Sequence, residues 1–252
     1  MPNLPDSSDH PSAEDSDITF RSDVTVELVR ASARDADVVF AARVSTVGES
    51  SVEDVDSDAQ RSAGLIRYLM RERHGSPFEH NSMTFFVQAP IFVWREHMRH
   101  RIASYNEASG RYRELRPIFY VPNETRSVVQ DGKPGAYEFH PGTPEQYDVI
   151  DSATRESCAV AYDAYKRMLD AGIAREVARM VLPVTIYSSA YVTMNARALM
   201  NFLSLRKKSD DATYPSYPQR EIEMVAEAYE EHFARLMPIT HEAFVASGRV
   251  AP

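Results

Sequence analysis

Two hydrophobic periods alternate along this chain. Residues 24–30 (VTVELVR) alternate apolar and polar side chains and predict a strand, whereas 33–45 and 57–74 carry apolar residues at helical spacing. The second of these helices opens on Ser57 or Asp58 as a cap. SMTFFVQA at 82–89 predicts another strand. Pro90 suits a first helical position, and 91–98 continue as an apolar-faced helix with Arg95 and Arg99 one turn apart on one side. Beyond it, Ser104, Asn106, Ser109 and Gly110 favour local side-chain-to-backbone bonds over helix, so the chain is expected to run on as a loop. The turn-rich stretch 122–144 reads as an exposed loop. A long amphipathic helix is predicted from Glu145 to Asp170, stopping before Gly172, then a short helix over 174–182 that ends at Pro183. The β-branched and aromatic run 184–194 predicts a strand, 195–206 a helix with Asn195 as N-cap, 209–218 a loop and 219–237 a final long helix. Helices dominate, and the few strands do not alternate with them in βαβ order, so the expected class is α+β.

The 252 residues, 43% of them hydrophobic, suffice for one main core. Residues 1–17 hold five acidic groups and no lysine or arginine, and a disordered acidic tail over 1–23 followed by one folded domain over 24–252 is expected. A formal charge of −9 argues against a surface that coats nucleic acid, so any anion site must be local. The single cysteine, Cys158, allows no internal disulfide and no cysteine-based zinc site. No basic and apolar leader opens the chain and no run of about eighteen apolar residues occurs, so a cytoplasmic protein with no membrane partner is expected.

Charge changes the picture at one place. Residues 95–116 (REHMRHRIASYNEASGRYRELR) set six arginines and two histidines into an acidic chain, with Ser, Asn and Tyr between them. Guanidinium groups bind phosphate bidentately, and backbone N–H groups at 109–111 can add donors where Gly110 permits close approach. Neither a Walker loop nor a dinucleotide-binding glycine pattern is present, so a phosphate would be held by these arginines. The alternatives are a solvated face of ion pairs with Glu96, Glu107 and Glu114, an arginine-rich RNA-binding strip, or a metal-dependent nucleotide hydrolase using His74, His80, His97 and His100. The last is weakened by the adjacent arginines, which repel a dication. Cys158 lies among alanines and aromatics at helical spacing and reads as core rather than nucleophile, leaving the hard chemistry to a bound cofactor.

RHRIASYNEASGRY at 99–112 resembles the RHRxxSxNExSxRY signature of the flavin-dependent thymidylate synthases, with every specified position matched. HGSPFEH at 74–80 and the 178–206 segment are similar to that family in order and spacing, and the resemblance covers residues 24–247. It implies the family's fold, long helices packed with a small mixed or antiparallel sheet. It also implies reductive methylation of dUMP to dTMP, with 5,10-methylenetetrahydrofolate as one-carbon donor and FAD, reduced by NADPH, as hydride carrier. No cysteine nucleophile is used, in line with the reading of Cys158. The resemblance assigns dUMP to Glu96, Arg99, Glu107, Ser109, Gly110, Arg111, Arg179 and Arg206, with Arg206 as the main catalytic residue near uracil N3 and O2. FAD would contact Ser76, Arg99, His100, Arg101, Ile102, Glu107, Asn195, Arg197 and Asn201, while His74 would lie on the folate and flavin side. A homotetramer with shared active sites is implied. Two positions depart from many relatives: Asp210 replaces a histidine four residues after Arg206, within an insert KKSDDATYPSYPQ, and Glu96 replaces a glutamine.

Overall fold

The computed structural model describes residues 18–48, 59–134 and 136–252. In chain order its elements are β1 (Thr19–Arg21), β2 (Thr25–Ser32), α1 (Asp35–Val47), α2 (Ala59–Arg71), β3 (Ser82–Pro90), α3 (Ile91–His97), β4 (Ser104–Glu107), β5 (Ile118–Tyr120), β6 (Val129–Lys133) and β7 (Ala136–His140). There follow α4 (Pro144–Asp170), α5 (Arg175–Ala178), β8 (Tyr187–Met194), α6 (Ala196–Arg206), α7 (Arg220–Leu236) and α8 (Pro238–Ala246), with 3-10 turns at Ser76–Glu79 and Arg179–Val181. The class is α+β, as expected.

A four-stranded sheet, ordered β2–β3–β8–β4 and antiparallel throughout, forms the frame. Its strands alternate as a half-buried sheet requires: Met83, Phe85, Val87 and Ala89 of β3, with Ala190, Val192 and Met194 of β8, point into the core, where α6, α7 and α8 cover them. Each fully buried Phe, Met or Val among them contributes roughly 1.5–3 kcal/mol by leaving water. A second cluster packs α4 through Cys158, Tyr162 and Tyr165 against Phe119 and Ile186. Cys158 is buried, its sulfur 3.4 Å from Thr185 Oγ1, which agrees with its reading as core. Tyr165 Oη accepts from Leu115 N at 3.1 Å and Tyr162 Oη donates to Leu115 O at 3.2 Å, so this cluster anchors the far end of the arginine-rich segment.

Several boundaries differ from the sequence reading. The segment after α3 is not wholly loop: Ser104–Glu107 pairs with β8 as an edge strand, because β8 offers a free ladder that outweighs the weak strand propensity of SYNE. The turn-rich 122–144 stretch contains the β6–β7 hairpin. The helix expected over 174–182 is one turn of α-helix continued by a 3-10 turn, and the strand expected from 184 begins at Tyr187. The long helix expected over 219–237 is found at Arg220–Leu236, and the short α8 that Pro238 starts was not expected. Thr19–Arg21 pairs in parallel with β5, so ordered chain precedes residue 24. Residues 1–17, and the cap expected at Ser57 or Asp58, lie outside the described residues. No helix among the described residues is long and apolar enough to cross a membrane.

Candidate functional site

The sequence-predicted residues gather into three groups. The first lies where α3 meets the end of α6. Trp94 is buried and donates from Nε1 towards Ala89 O at 3.1 Å and Ser188 O at 3.2 Å, which pins the short helix to the sheet and leaves Glu96 and Arg99 beyond it. Arg206, in the last turn of α6, where the helix dipole favours a cation, donates from Nη1 to Glu96 Oε2 at 2.7 Å and from Nε to His100 Nε2 at 3.1 Å. The His100 ring stacks, tilted, on Phe202 at 4.6 Å between centroids. Burial, and then the charge of Arg206, lower the His100 pKa from 6.5 to about 4, so at neutral pH the imidazole is neutral and can accept that bond. Glu96 is pulled both ways: burial raises its pKa and Arg206 lowers it, with a net rise.

Behind this group His97 is almost wholly buried. Its Nε2 meets Tyr229 Oη at 2.9 Å and its Nδ1 meets Tyr105 Oη at 3.3 Å, while Tyr105 Oη also lies 2.8 Å from His100 O. Burial is the first cause that lowers the His97 pKa to about 3. These contacts make Trp94 and His97 packing residues. The four histidines proposed for a metal hydrolase do not converge: His97 is enclosed by tyrosines, His100 faces a guanidinium, and exposed His74 packs edge-on against Tyr68 at 5.8 Å. Two neutral imidazoles, one buried and one half-buried, carry an acid-stability consequence. The unfolded chain protonates them below about 6.5 and the native state only near 4 and 3, so their stabilisation is complete above 6.5 and is lost as pH falls from there towards 3. In urea unfolding at pH 7 and pH 4.5, His97→Gln is expected to lose less stability between the two than the parent chain. An equal loss would show that His97 does not carry this acid sensitivity.

The second group is the expected phosphate clamp. Ser109 Oγ lies 3.3 Å from Arg111 N, and Gly110 is buried. A Cβ built on Gly110 would stand 3.0 Å from Leu115 Cδ1 and 3.3 Å from Arg179 Cδ, so the glycine lets the Arg179 stem cross the loop closely. Arg111, Arg179 and Arg99 are exposed. Arg111 Nε is paired with Glu176 Oε2 at 2.9 Å, a solvent-exposed contact that the sequence reading missed. The two residues are 65 positions apart, so no local pattern carried a signal for this pair. Glu107, at the end of β4, accepts from Ser188 Oγ at 2.5 Å.

The third group joins the 74–80 loop to the start of α6. Arg197 pairs through Nη1 with Glu79 and donates from Nε to Pro252 O at 2.7 Å. Its guanidinium lies against Gly75, where an added Cβ would approach Arg197 Cζ to 2.5 Å. Ser76 and Asn201 are exposed nearby in the chain. Asn195 Oδ1 accepts from Ala198 N at 2.9 Å and so caps α6 as expected, which engages the oxygen that was also a candidate for FAD. Arg101 and Ile102 are exposed, Ile102 at 73%. Ser188 ties the first group to the second, since its carbonyl accepts from Trp94 Nε1 and its hydroxyl donates to Glu107. Asp210 lies on the 207–219 loop, which with the β6–β7 hairpin lines an open cleft of 1130 Å³. Gly75→Ala is expected to displace only the far end of the Arg197 side chain and to keep the fold, and if Arg197 belongs to the cofactor set that the resemblance implies, FAD affinity falls by about tenfold, the order of one bond to a charged group. Fluorescence titration of FAD checks this, and unchanged affinity would remove Arg197 from the cofactor set.

Comparison with known proteins shows the family. Residues 27–239 match the family model described as thymidylate synthase complementing protein. The chain is 62% identical over 241 residues to a flavin-dependent thymidylate synthase of Streptomyces coelicolor, covering 95% of this chain and 98% of that protein. It is 60% identical over 236 residues to the flavin-dependent thymidylate synthase of Tropheryma whipplei strain TW08/27, covering 94% and 98%. The crystal structure of a UMP/dUMP methylase, PolB, from Streptomyces cacaoi bound with 5-Br UMP superposes with a TM-score of 0.87 at 57% identity, covering 93% of this chain and 99% of that one. With an intact signature, a matching family model and relatives of this closeness over nearly the whole length, the chain belongs to the flavin-dependent thymidylate synthase family.

Proposed function

We propose that this protein converts dUMP to dTMP by reductive methylation, with 5,10-methylenetetrahydrofolate as one-carbon donor and NADPH as reductant of bound FAD. The observation that carries the reading is the first group: a half-buried Arg206, fixed by neutral His100 and by Glu96, at the end of the helix that also carries Arg197 and Asn201. A fixed cation in a water-poor setting is what stabilises negative charge developing on a uracil ring. Arg206 uses Nε for His100, one Nη1 hydrogen for Glu96 Oε2 and one Nη2 hydrogen for Glu96 O, which leaves one N–H on each Nη to donate to uracil O2 and to stabilise negative charge developing towards N3.

Ser109, Gly110, Arg111 and Arg179, with Arg99, would hold the dUMP phosphate, since they supply guanidinium forks and loop N–H groups at one short segment. The donor set around the cofactor also fits. Arg99, Arg101 and Arg197 suit a pyrophosphate, Ser76, His100, Glu107 and Asn201 offer polar atoms for ribose and ring edges, Asn195 orients the helix that carries two of them, and Ile102 presents apolar surface. FAD when bound would supply hydride transfer; the chain supplies binding, orientation and electrostatics. His74 would stand at the folate side. A homotetramer would complete each site, which accounts for candidate residues spread over three distant segments of one chain. Buried Cys158 takes no part.

Anaerobic addition of NADPH to the FAD-loaded protein tests the coupling of nucleotide and flavin sites. The flavin absorption is expected to bleach faster with dUMP present. Bleaching at one rate with and without dUMP would count against a shared site.

A further inference from the structure

Away from the three groups, a cleft of 480 Å³ opens between the end of α2, the 213–214 segment and the C-terminal end of α8. Its rim carries Arg67 and Arg71, one helical turn apart, then Arg73 just beyond the helix, and Tyr214 stands over it at 71% exposure. The walls are Met70, Ala243, Ala246 and Val250, so an apolar floor underlies a row of guanidinium groups. The floor is held in register by a backbone bond from Thr213 N to Gly248 O at 2.9 Å. Two carboxylates face the row, each engaging one nitrogen: Glu242 meets Arg67 Nη2 at 3.0 Å, and Glu72 meets Arg71 Nε at 2.8 Å. Arg73 Nη2 donates to Ala251 O at 3.3 Å. A guanidinium carries five N–H donors, and exposed pairs of this kind are worth only about 0–1 kcal/mol, so the row exchanges these partners easily for ligand carboxylates.

The arrangement distinguishes between anions. A single phosphate draws several guanidinium groups to one point, whereas here they succeed one another along the chain from Arg67 to Arg73, the first two each with its own carboxylate and the third on a backbone carbonyl. That spacing suits a chain in which carboxylates recur. The row also runs straight into the folate side of the site proposed above: Arg73 adjoins His74, and the Tyr68 ring that packs edge-on to His74 at 5.8 Å lies under the Arg71 guanidinium at 5.6 Å. We propose that this cleft binds the glutamate carboxylates of the folate co-substrate and selects folates with several γ-linked glutamates over those with one. The assignment to folate rests on the functional reading above, while the cleft's affinity for recurring carboxylates does not.

Two measurements on the full chain test it, with Arg67→Gln/Arg71→Gln as the variant, both positions being exposed and outside the catalytic and nucleotide groups. In calorimetry, folate-free γ-linked tetraglutamate is expected to bind the parent chain and to lose at least tenfold in affinity in the variant. No binding to the parent, or equal binding to both, overturns the proposal. In steady state, the parent is expected to show at least a tenfold lower KM for methylenetetrahydrofolate with four glutamates than with one, and the variant a ratio near one with kcat and the dUMP KM unchanged. An unchanged ratio in the variant overturns the proposal, and a rise in the NADPH KM alone assigns the cleft to the reductant's phosphate instead. Should tetraglutamate bind while no folate supports dTMP formation, the functional reading fails and the folate assignment with it. Normal dTMP formation without glutamate dependence sinks only the cleft assignment.

Discussion

Arg206→Ala is expected to lower turnover of dUMP to dTMP by roughly 10²–10³-fold, the cost of removing one fixed donor aimed at developing charge, while FAD stays bound. The expectation follows from how the side chain is held. Arg206 reaches away from the α6 terminus into a setting where His100 is neutral, so the bond from Nε to His100 Nε2 orients the guanidinium without adding a competing charge. Glu96 secures Nη1 from the other side. Of these partners only His100 belongs to the proposed cofactor set, and its ring stays packed on Phe202, so FAD affinity is expected to fall far less than turnover in this variant. Arg206→Lys keeps the charge but not the planar fork, and is expected to recover only a minor part of the loss. The check is a kcat determination beside an FAD titration; parallel loss of both would move Arg206 from the uracil to the cofactor.

The second large effect belongs to Arg111. Arg111→Ala is expected to raise the KM for dUMP by roughly ten- to hundredfold, as loss of hydrogen bonds to a charged group implies, with kcat at saturating dUMP changed far less. Its exposed pair with Glu176 contributes little, because solvent screens it and two flexible side chains must be ordered to form it. A phosphate dianion offers a second partner of higher charge, so Arg111 is free to exchange. Glu176→Gln, which removes the resident carboxylate, is accordingly expected to leave the dUMP KM unchanged or lower it slightly. Steady-state kinetics in dUMP for both variants decide this, and a rise in KM in Glu176→Gln equal to that in Arg111→Ala would mean that the pair matters as a structural tie rather than as a phosphate clamp.

Much of this was legible in the residues. The period of β3 and β8, the Asn195 cap and the long α4 helix were each written in local pattern, and the structure places them within a few residues of the expected bounds. The RHRxxSxNExSxRY signature marked the segment where Arg99, His100 and Arg111 lie. The edge strand β4 was not legible, because its four residues prefer turns and only the open side of β8, distant in sequence, gives them a ladder. For the same reason the partners of the site residues escaped. Glu96 and Arg206 are 110 positions apart and meet only once α3 and α6 pack on a common sheet. The neutral state of His100 depends on burial and on that same guanidinium, neither of which a local motif contains.

The most direct measurement of the central claim is product analysis after incubating the purified protein, loaded with FAD, with dUMP, NADPH and 5,10-methylenetetrahydrofolate labelled in its methylene carbon. The account predicts labelled dTMP, its formation dependent on NADPH and on Arg206, with tetrahydrofolate rather than dihydrofolate as the folate product because the reducing hydride comes through the flavin. Absence of labelled dTMP from a flavin-loaded preparation, or dTMP formed equally well without NADPH and with dihydrofolate as product, would contradict it.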